Sequence, residues 1–241
     1  MSNNILFVFE GASTEVQIIE NLQNHFINEN VSVHCVYGGE IYQIFKKIQK
    51  DDDLDTFNLL KERSDENEDV LKNYNRDDFA EIYLFFDYDG HSRIADDEKL
   101  KELLAFFNEE TDKGKLYISY PMVESLKHII NDEHFQTSCI ECKENIKYKK
   151  IVSDEAQKHL IDFTSYKAET WKGLISLHLK KMNYLCENKF TLPEKLFTQL
   201  EIFSNQETKY INPHKKVSIL SAFPVFIHDY YGNENTILKI K

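Results

Sequence analysis

The sequence predicts an α/β fold: a three-layer α/β/α core with a mostly parallel sheet, followed by a helical C-terminal extension. Three observations point there. Two runs of strand length, Ile5–Phe9 (ILFVF) and Glu81–Phe86 (EIYLFF), are apolar almost throughout, as strands covered on both faces are. Strand-like runs alternate with segments of helical periodicity over residues 5–120, the pattern of βαβ units. Beyond about residue 125 that alternation gives way to helical spacing.

Taken in order, strand Ile5–Phe9 leads into the turn Glu10-Gly11-Ala12-Ser13-Thr14-Glu15. There Ser13 or Thr14 can cap a helix and Glu15 suits its first turn. Val16–Asn28 then sets Ile18, Ile19, Leu22 and Phe26 on one face, as an amphipathic helix requires. Val31–Val36 reads as a second strand and Ile41–Ile48 as a short helix. The acidic stretch 51–69 (DDDLDTFNLLKERSDENED) breaks the pattern and reads as a solvated insertion or mobile loop. Strand 81–86 ends in Asp87-Tyr88-Asp89-Gly90. A helix is expected over Asp96–Phe107, with Leu100, Leu103, Leu104 and Phe107 inward, and a short strand over Lys115–Ser119, ended by Pro121. Residues 154–188, 192–204 and 214–231 read as helices, the second with Thr191 as cap and Pro193 in its first turn. The expected division is a core over residues 1–130 and a mainly helical extension, 131–241, packed on it.

Composition narrows the function classes. The chain has 241 residues and a formal net charge of −12, which argues against a protein that coats nucleic acid unaided, because phosphate neutralisation needs Lys and Arg. A nuclease remains open, since divalent cations or a basic partner can supply positive charge. Basic stretches do occur at 143–150 (KENIKYKK) and 209–216 (KYINPHKK). Cys139 and Cys142 form a single C-x-x-C with no second ligand pair at zinc spacing, so reduced thiols are expected. Neither a secretory leader nor an apolar run of membrane-spanning length is present in the sequence, and a soluble cytoplasmic protein with no membrane partner is expected. The phosphate-binding G-x-x-x-x-G-K-[ST] pattern is missing, which excludes a P-loop ATPase.

The residues that carry chemistry sit at strand ends. In open parallel sheets functional groups collect beyond the carboxyl ends of the strands, and two expected strands end in acids there: the first in Glu10, the later one in Asp87 and Asp89. Side chains alternate along a strand, so Asp87 and Asp89 share a side if extended backbone continues through Tyr88, and Gly90 permits a sharp turn after them. Singly, Glu10 reads equally as part of a helix-capping turn, and D-x-D-G as a simple turn. Together they suit a hard cation, Mg²⁺ or Mn²⁺, held by carboxylate oxygens, and metal-assisted phosphodiester chemistry.

ILFVFEGASTE resembles the first motif of the Toprim family, a hydrophobic strand followed by Glu and Gly, and LFFDYDGH resembles the second, a hydrophobic strand ending in D-x-D. The resemblance covers residues 4–130. It implies a Toprim-like fold in which Glu10 does acid/base work, Asp87 and Asp89 hold Mg²⁺, and Glu15 acts behind them or at a second metal. The chain lacks the tyrosine-bearing and zinc-bearing modules of topoisomerases and primases. What remains is similar to small stand-alone Toprim nucleases of bacterial phage defence. That likeness implies a toxic effector that cleaves RNA (tRNA among the candidates) or DNA, governed by an ABC-type or OLD-type ATPase partner. The assembly expected is a homodimer or a complex with such an ATPase.

Other residues are weaker candidates. Glu124 follows the Lys115–Ser119 strand and can reach the same rim as a metal ligand, or lie in the first turn of a helix begun by Pro121. Lys127 could meet a phosphate, and His91, beside D-x-D-G, could touch substrate; both read equally as surface groups. Phe223, Phe226, Tyr230 and Tyr231 could stack on bases or simply pack. Two rivals compete. A haloacid-dehalogenase-like phosphatase also ends a strand in D-x-D-G and would use the first Asp as nucleophile, and a receiver-like domain collects acids at two strand ends and is phosphorylated on one, but both leave the E-G-x-x-x-E turn unexplained. A non-catalytic metal-binding interaction module is the third alternative.

Overall fold

The apolar amino-terminal run becomes β1 (Asn4–Phe9), whose residues 5–9 are all buried. In the computed structural model, which describes residues 4–11, 13–27, 31–38, 44, 46–47, 55–88, 90 and 96–240, it is followed by α1 (Thr14–Phe26) and β2 (Ser32–Tyr37). Next come α2 (Thr56–Lys61), α3 (Asp65–Leu71), β3 (Phe79–Asp87) and α4 (Asp97–Phe106). The sheet is completed by the short β4 (Asn108–Glu109) and by β5 (Gly114–Ser119). These five strands form one mostly parallel sheet in the order β2-β1-β3-β5-β4, so the fold is α/β with flanking helices. β1 pairs in parallel with β2 and β3, and β4 runs antiparallel to β5.

By compactness the chain divides into two units, Met1–Phe86 with Glu102–Leu116, and Asp87–Lys101 with Tyr117–Lys241. In the first, the register sets Phe7 opposite Tyr83 and Phe9 opposite Phe85. Alternation then gathers the four rings on one face, with Phe7 centred 5.7 Å from Tyr83 and Phe9 5.7 Å from Phe85. Such cross-strand aromatic pairs specify register as well as stability. Ile18, Ile19, Leu22 and Phe26 of α1 are buried as their spacing requires. Gly114 begins β5 at φ +110°, and a Cβ there would stand 2.5 Å from Leu84 Cδ1; only glycine tolerates both the angle and the approach.

Several elements depart from the sequence reading. Of the acidic stretch, residues 55–69 are not a loop: they contribute all of α2 and most of α3. Asp55 and Ser64 accept the amides of Asn58 and Asn67 at the two helix starts, and Asp65, Glu66 and Glu68 fill the first turn of α3, where acids offset the helix dipole. Phe57, Leu59, Leu60 and Leu71 are buried from these helices. Ser13 stands at the N-cap of α1 without capping it through its side chain. Most of the expected Ile41–Ile48 helix lies outside the described residues, although Ile44 is helical and buried.

The second unit holds α5 (Asp132–Thr137), β6 (Cys139–Glu141), α6 (Tyr148–Glu155) and the long α7 (Ala168–Glu187). They are followed by α8 (Gln199–Gln206), β7 (Lys216–Ser218), α9 (Ala222–Tyr231) and α10 (Asn233–Ile240). α7 is the hub, packing against α5, α8, α9 and α10. Residues 156–167 hold two short 3₁₀ helices, Lys158–Leu160 and Phe163–Ser165, instead of α-helix, and the expected start at Pro193 is not used. The helix begins at Gln199, where Thr198 and Glu201 form a reciprocal capping box. Residues 216–218 are strand, because Cys139, Ile140 and Glu141 pair antiparallel with Ser218, Val217 and Lys216. Among the described residues no helix is long and apolar enough to cross a membrane.

Lys181 of α7 is fully buried, and its Nζ donates to the carbonyls of Phe135, Gln136 and Ser138 at 2.8, 2.9 and 2.8 Å. These oxygens lie at the carboxyl end of α5, where a helix leaves acceptors without partners. Burial pushes the Lys181 ammonium down to about 7; three acceptors for three N–H groups work against that loss of the proton. Lys181→Met is expected to cost about 1–3 kcal/mol, chiefly by leaving Gln136 O without its donor, since Phe135 O and Ser138 O keep the amides of Ser138 and Ile219. Phe7→Ala is expected to cost about 3–5 kcal/mol, by opening a cavity in the sheet's aromatic face. Urea unfolding of each variant checks both.

Candidate functional site

The turn after β1 carries two of the candidate acids. Glu15, in the first turn of α1, is buried, and its Oε1 accepts the amide of Gly11 at 3.3 Å. Its carboxylate therefore braces the backbone next to Glu10, which is half-buried at the end of the strand. The sequence offered Glu15 as an acid near a metal; the structure gives it a hydrogen bond within its own turn.

In the second unit the D-x-D-G segment is fixed by its middle residue. Tyr88 N donates to Ser119 O at 2.9 Å, extending the ladder one step past Asp87. The Tyr88 ring is buried, and its hydroxyl donates to Asp97 Oδ1 at 2.6 Å and accepts from Lys143 Nζ at 2.7 Å; Lys143 also meets Asp97 Oδ2 at 2.8 Å. Gly90 N returns to Tyr88 O at 2.8 Å, and a Cβ on Gly90 would lie 2.6 Å from the Tyr88 ring and 2.8 Å from Cys142 O. The glycine is thus required by close approach. Cys142 donates its thiol to Lys215 O at 3.2 Å, and burial raises its pKa to about 11. Asp89 and His91 lie outside the described residues.

Glu124 sits in a 3₁₀ turn, Val123–Leu126, and not in the α-helix considered for it. It is 6% exposed; Oε1 lies 3.4 Å from Lys149 Nζ, and Oε2 is buried with no hydrogen-bond partner among the described residues. An acceptor left so is costly unless something fills it. Close by is Tyr148, whose buried hydroxyl lies 3.0 Å from His128 Nδ1, while His128 Nε2 lies 3.1 Å from Glu155 Oε2. The carboxylate fixes the tautomer: Nε2 carries the proton, so Nδ1 accepts from Tyr148. Burial first, then the charges of Glu124, Asp87 and Glu155, hold the Tyr148 phenol well above its ordinary range. The structure therefore gathers Asp87 and Glu124, both sequence candidates, within electrostatic reach of one hydroxyl.

Lys127 is already engaged. Its Nζ donates to Ile161 O at 3.2 Å and stands 4.2 Å from the centre of the Phe163 ring, and burial lowers its pKa. The aromatics near the carboxyl end divide: Phe223 and Phe226 are core, whereas Tyr230 and Tyr231 are only half-buried. Residues missed by the sequence reading, Tyr148, His128, Glu155 and Lys149, line or back a pocket of about 440 Å³ whose walls include Tyr88, Tyr148, Met122 and Ile146 and whose rim carries Lys147, Lys149 and Lys150. The aromatic inside the basic run KYKK was the available signal. Among the described residues there is no group of three or more His, Cys, Asp or Glu side chains placed to hold a metal.

His178 holds the Glu124 turn from behind: its Nδ1 accepts Ser221 N at 3.2 Å and its Nε2 faces Leu126 O at 3.3 Å. The Ser221 bond needs an unprotonated Nδ1, so the ring is neutral with its proton on Nε2, and burial lowers its pKa to about 3; burial also lowers that of His128. Folded-state values below the unfolded one mean that the unfolded chain takes up protons first as pH falls. Stability is therefore complete above about pH 6.5 and is lost as pH falls from there toward the folded values. Urea titrations between about pH 6.5 and 5 are expected to show this loss, with a slope smaller by up to about one proton in His178→Gln. An unchanged slope would contradict the assignment. No protein-family model, curated protein or solved structure matches the chain.

Proposed function

We propose that the protein is a divalent-metal-dependent nuclease that hydrolyses phosphodiester bonds in RNA or DNA. The observation that carries this reading is Glu124 Oε2, buried and without a hydrogen-bond partner among the described residues, in a place where the charges of both Glu124 and Asp87 are felt by Tyr148. A buried carboxylate oxygen lacking a donor fits a hard cation. Asp87, Glu124 and Asp89, two residues beyond Asp87 in the chain, are the oxygen donors that would hold Mg²⁺ or Mn²⁺. Bound there, the ion supplies Lewis-acid stabilisation of the charge that builds on the phosphoryl oxygens. Lys149, next to Glu124, balances the carboxylate charge from the other side.

Glu10 takes the acid/base role that the Toprim resemblance gives it, and Glu15 steadies the turn that carries Glu10 through the Gly11 amide. The Glu155–His128–Tyr148 chain orients the phenol, so that a proton can be held between Tyr148 Oη and His128 Nδ1 without leaving the buried network. Toprim identity is part of the same proposal; the parallel pairing of β1 with β3 supports it.

Purified protein incubated with tRNA or plasmid DNA is expected to cleave at least one of them with Mg²⁺ or Mn²⁺ and neither in chelator. Glu10→Ala is expected to lower the rate about 10²–10⁴-fold, and Asp87→Ala to abolish metal-dependent cleavage, with circular dichroism unchanged for both. Turnover of a small phosphomonoester without cleavage of either polymer would favour the dehalogenase-like phosphatase. No metal-dependent turnover of any kind would leave a binding module.

A further inference from the structure

The pocket bounded by Tyr88 and Tyr148 is built for something more specific than a polyanion. One side of it is aromatic and aliphatic, from Tyr88, Tyr148, Met122 and Ile146; Asn145 adds an amide, and the rim carries Lys147, Lys149 and Lys150. The rim's charges are not equivalent. Lys149 is drawn to Glu124, and Glu141 on the opposite side is drawn to Lys216 at 3.6 Å. Lys147 and Lys150 are exposed and make no ion pair among the described residues, facing only Glu144 as an uncompensated acid. The balance that remains is one positive charge: enough to orient one phosphate, too little to grip a long backbone.

Size and surface narrow the occupant. A volume of about 440 Å³ falls in the range of small-ligand pockets and excludes a duplex. An aromatic and aliphatic lining beside lysines suits a nucleobase attached to a phosphate, since bases pack on aromatic side chains irrespective of sequence. Tyr88 is rigid here, its hydroxyl held by Asp97 and Lys143, and Tyr148 is held by His128, so neither ring must be ordered when a ligand arrives. Asp87 directly precedes Tyr88 in the chain, and its charge reaches Tyr148.

We infer that this pocket binds one unpaired nucleoside phosphate, with the base on the tyrosine and aliphatic walls and the phosphate toward Lys147 and Lys150. This rests on the nuclease reading for its source, the nucleotide being one unit of the substrate strand, and it makes single-stranded or flipped-out segments the preferred substrate. A free nucleotide shares the same chemistry.

The test separates binding from cleavage. Fluorescence anisotropy of labelled eight-nucleotide oligo-U and oligo-dT is measured with EDTA present, with UMP as competitor. Ile146→Trp, which fills the cavity from a half-exposed loop position, is expected to weaken binding about tenfold or more. The double variant Lys147→Gln/Lys150→Gln is expected to weaken it several-fold and to flatten the salt dependence, while Lys158→Gln, exposed and outside the pocket, binds as the parent does. Displacement by UMP alone assigns the site to free nucleotide; competition only by oligonucleotide assigns it to the strand. The inference fails if the parent binds neither probe in chelator, or if Ile146→Trp binds both unchanged. Binding without cleavage in any metal removes the nuclease reading and keeps the pocket; cleavage with Ile146→Trp indistinguishable from the parent does the reverse.

Discussion

Tyr88 Oη donates to Asp97 and accepts from Lys143, and that single hydroxyl ties together three stretches of chain far apart in sequence. The end of β3, the first turn of α4 and the segment leaving β6 all meet there. The Lys143–Asp97 pair is only partly buried, with side chains 29% and 22% exposed. Taken alone, such a pair contributes little; its geometry matters more, because the ammonium meets both the phenol and the carboxylate. What it fixes is the aromatic ring that directly follows Asp87. The close approach of Gly90 to the ring and to Cys142 O shows how little slack is left.

Electrostatics in the second unit run against the character of the whole chain. A net charge of −12 predicts weak attraction for polyanions, yet the pocket rim carries three lysines within four residues, two of them without ion pairs among the described residues. Burying Glu124 beside Tyr148 concentrates negative potential on the far side of those lysines.

Much of the sheet was legible because its central strands are covered on both faces and so are written as unbroken apolar runs; β1 and β3 lie where ILFVF and EIYLFF place them. The helix over 97–106 was legible for the same reason, its four inward residues standing at helical spacing. The acidic stretch was misread because acids at helix starts and acids in loops look alike in composition, and only the buried Phe57, Leu60 and Leu71 distinguish them. β7 was invisible, since its partner β6 lies far earlier in the chain, Cys139 pairing with Ser218 and Glu141 with Lys216, and no local pattern announces a three-residue strand. At the site, the strand-end acids and Glu124 could be named from spacing alone. Tyr148, His128 and Glu155 could not, because their meeting depends on how α6 lies against the Val123–Leu126 turn.

The amine of Lys181 has a further use, as a timekeeper. It is sealed from solvent by the end of α5, so an acylating reagent can reach it only after α5 and α7 have come apart. Its labelling rate, set against that of exposed lysines such as Lys158, therefore reports how often this interior opens under native conditions, and a mass spectrum would resolve that clock without any unfolding agent.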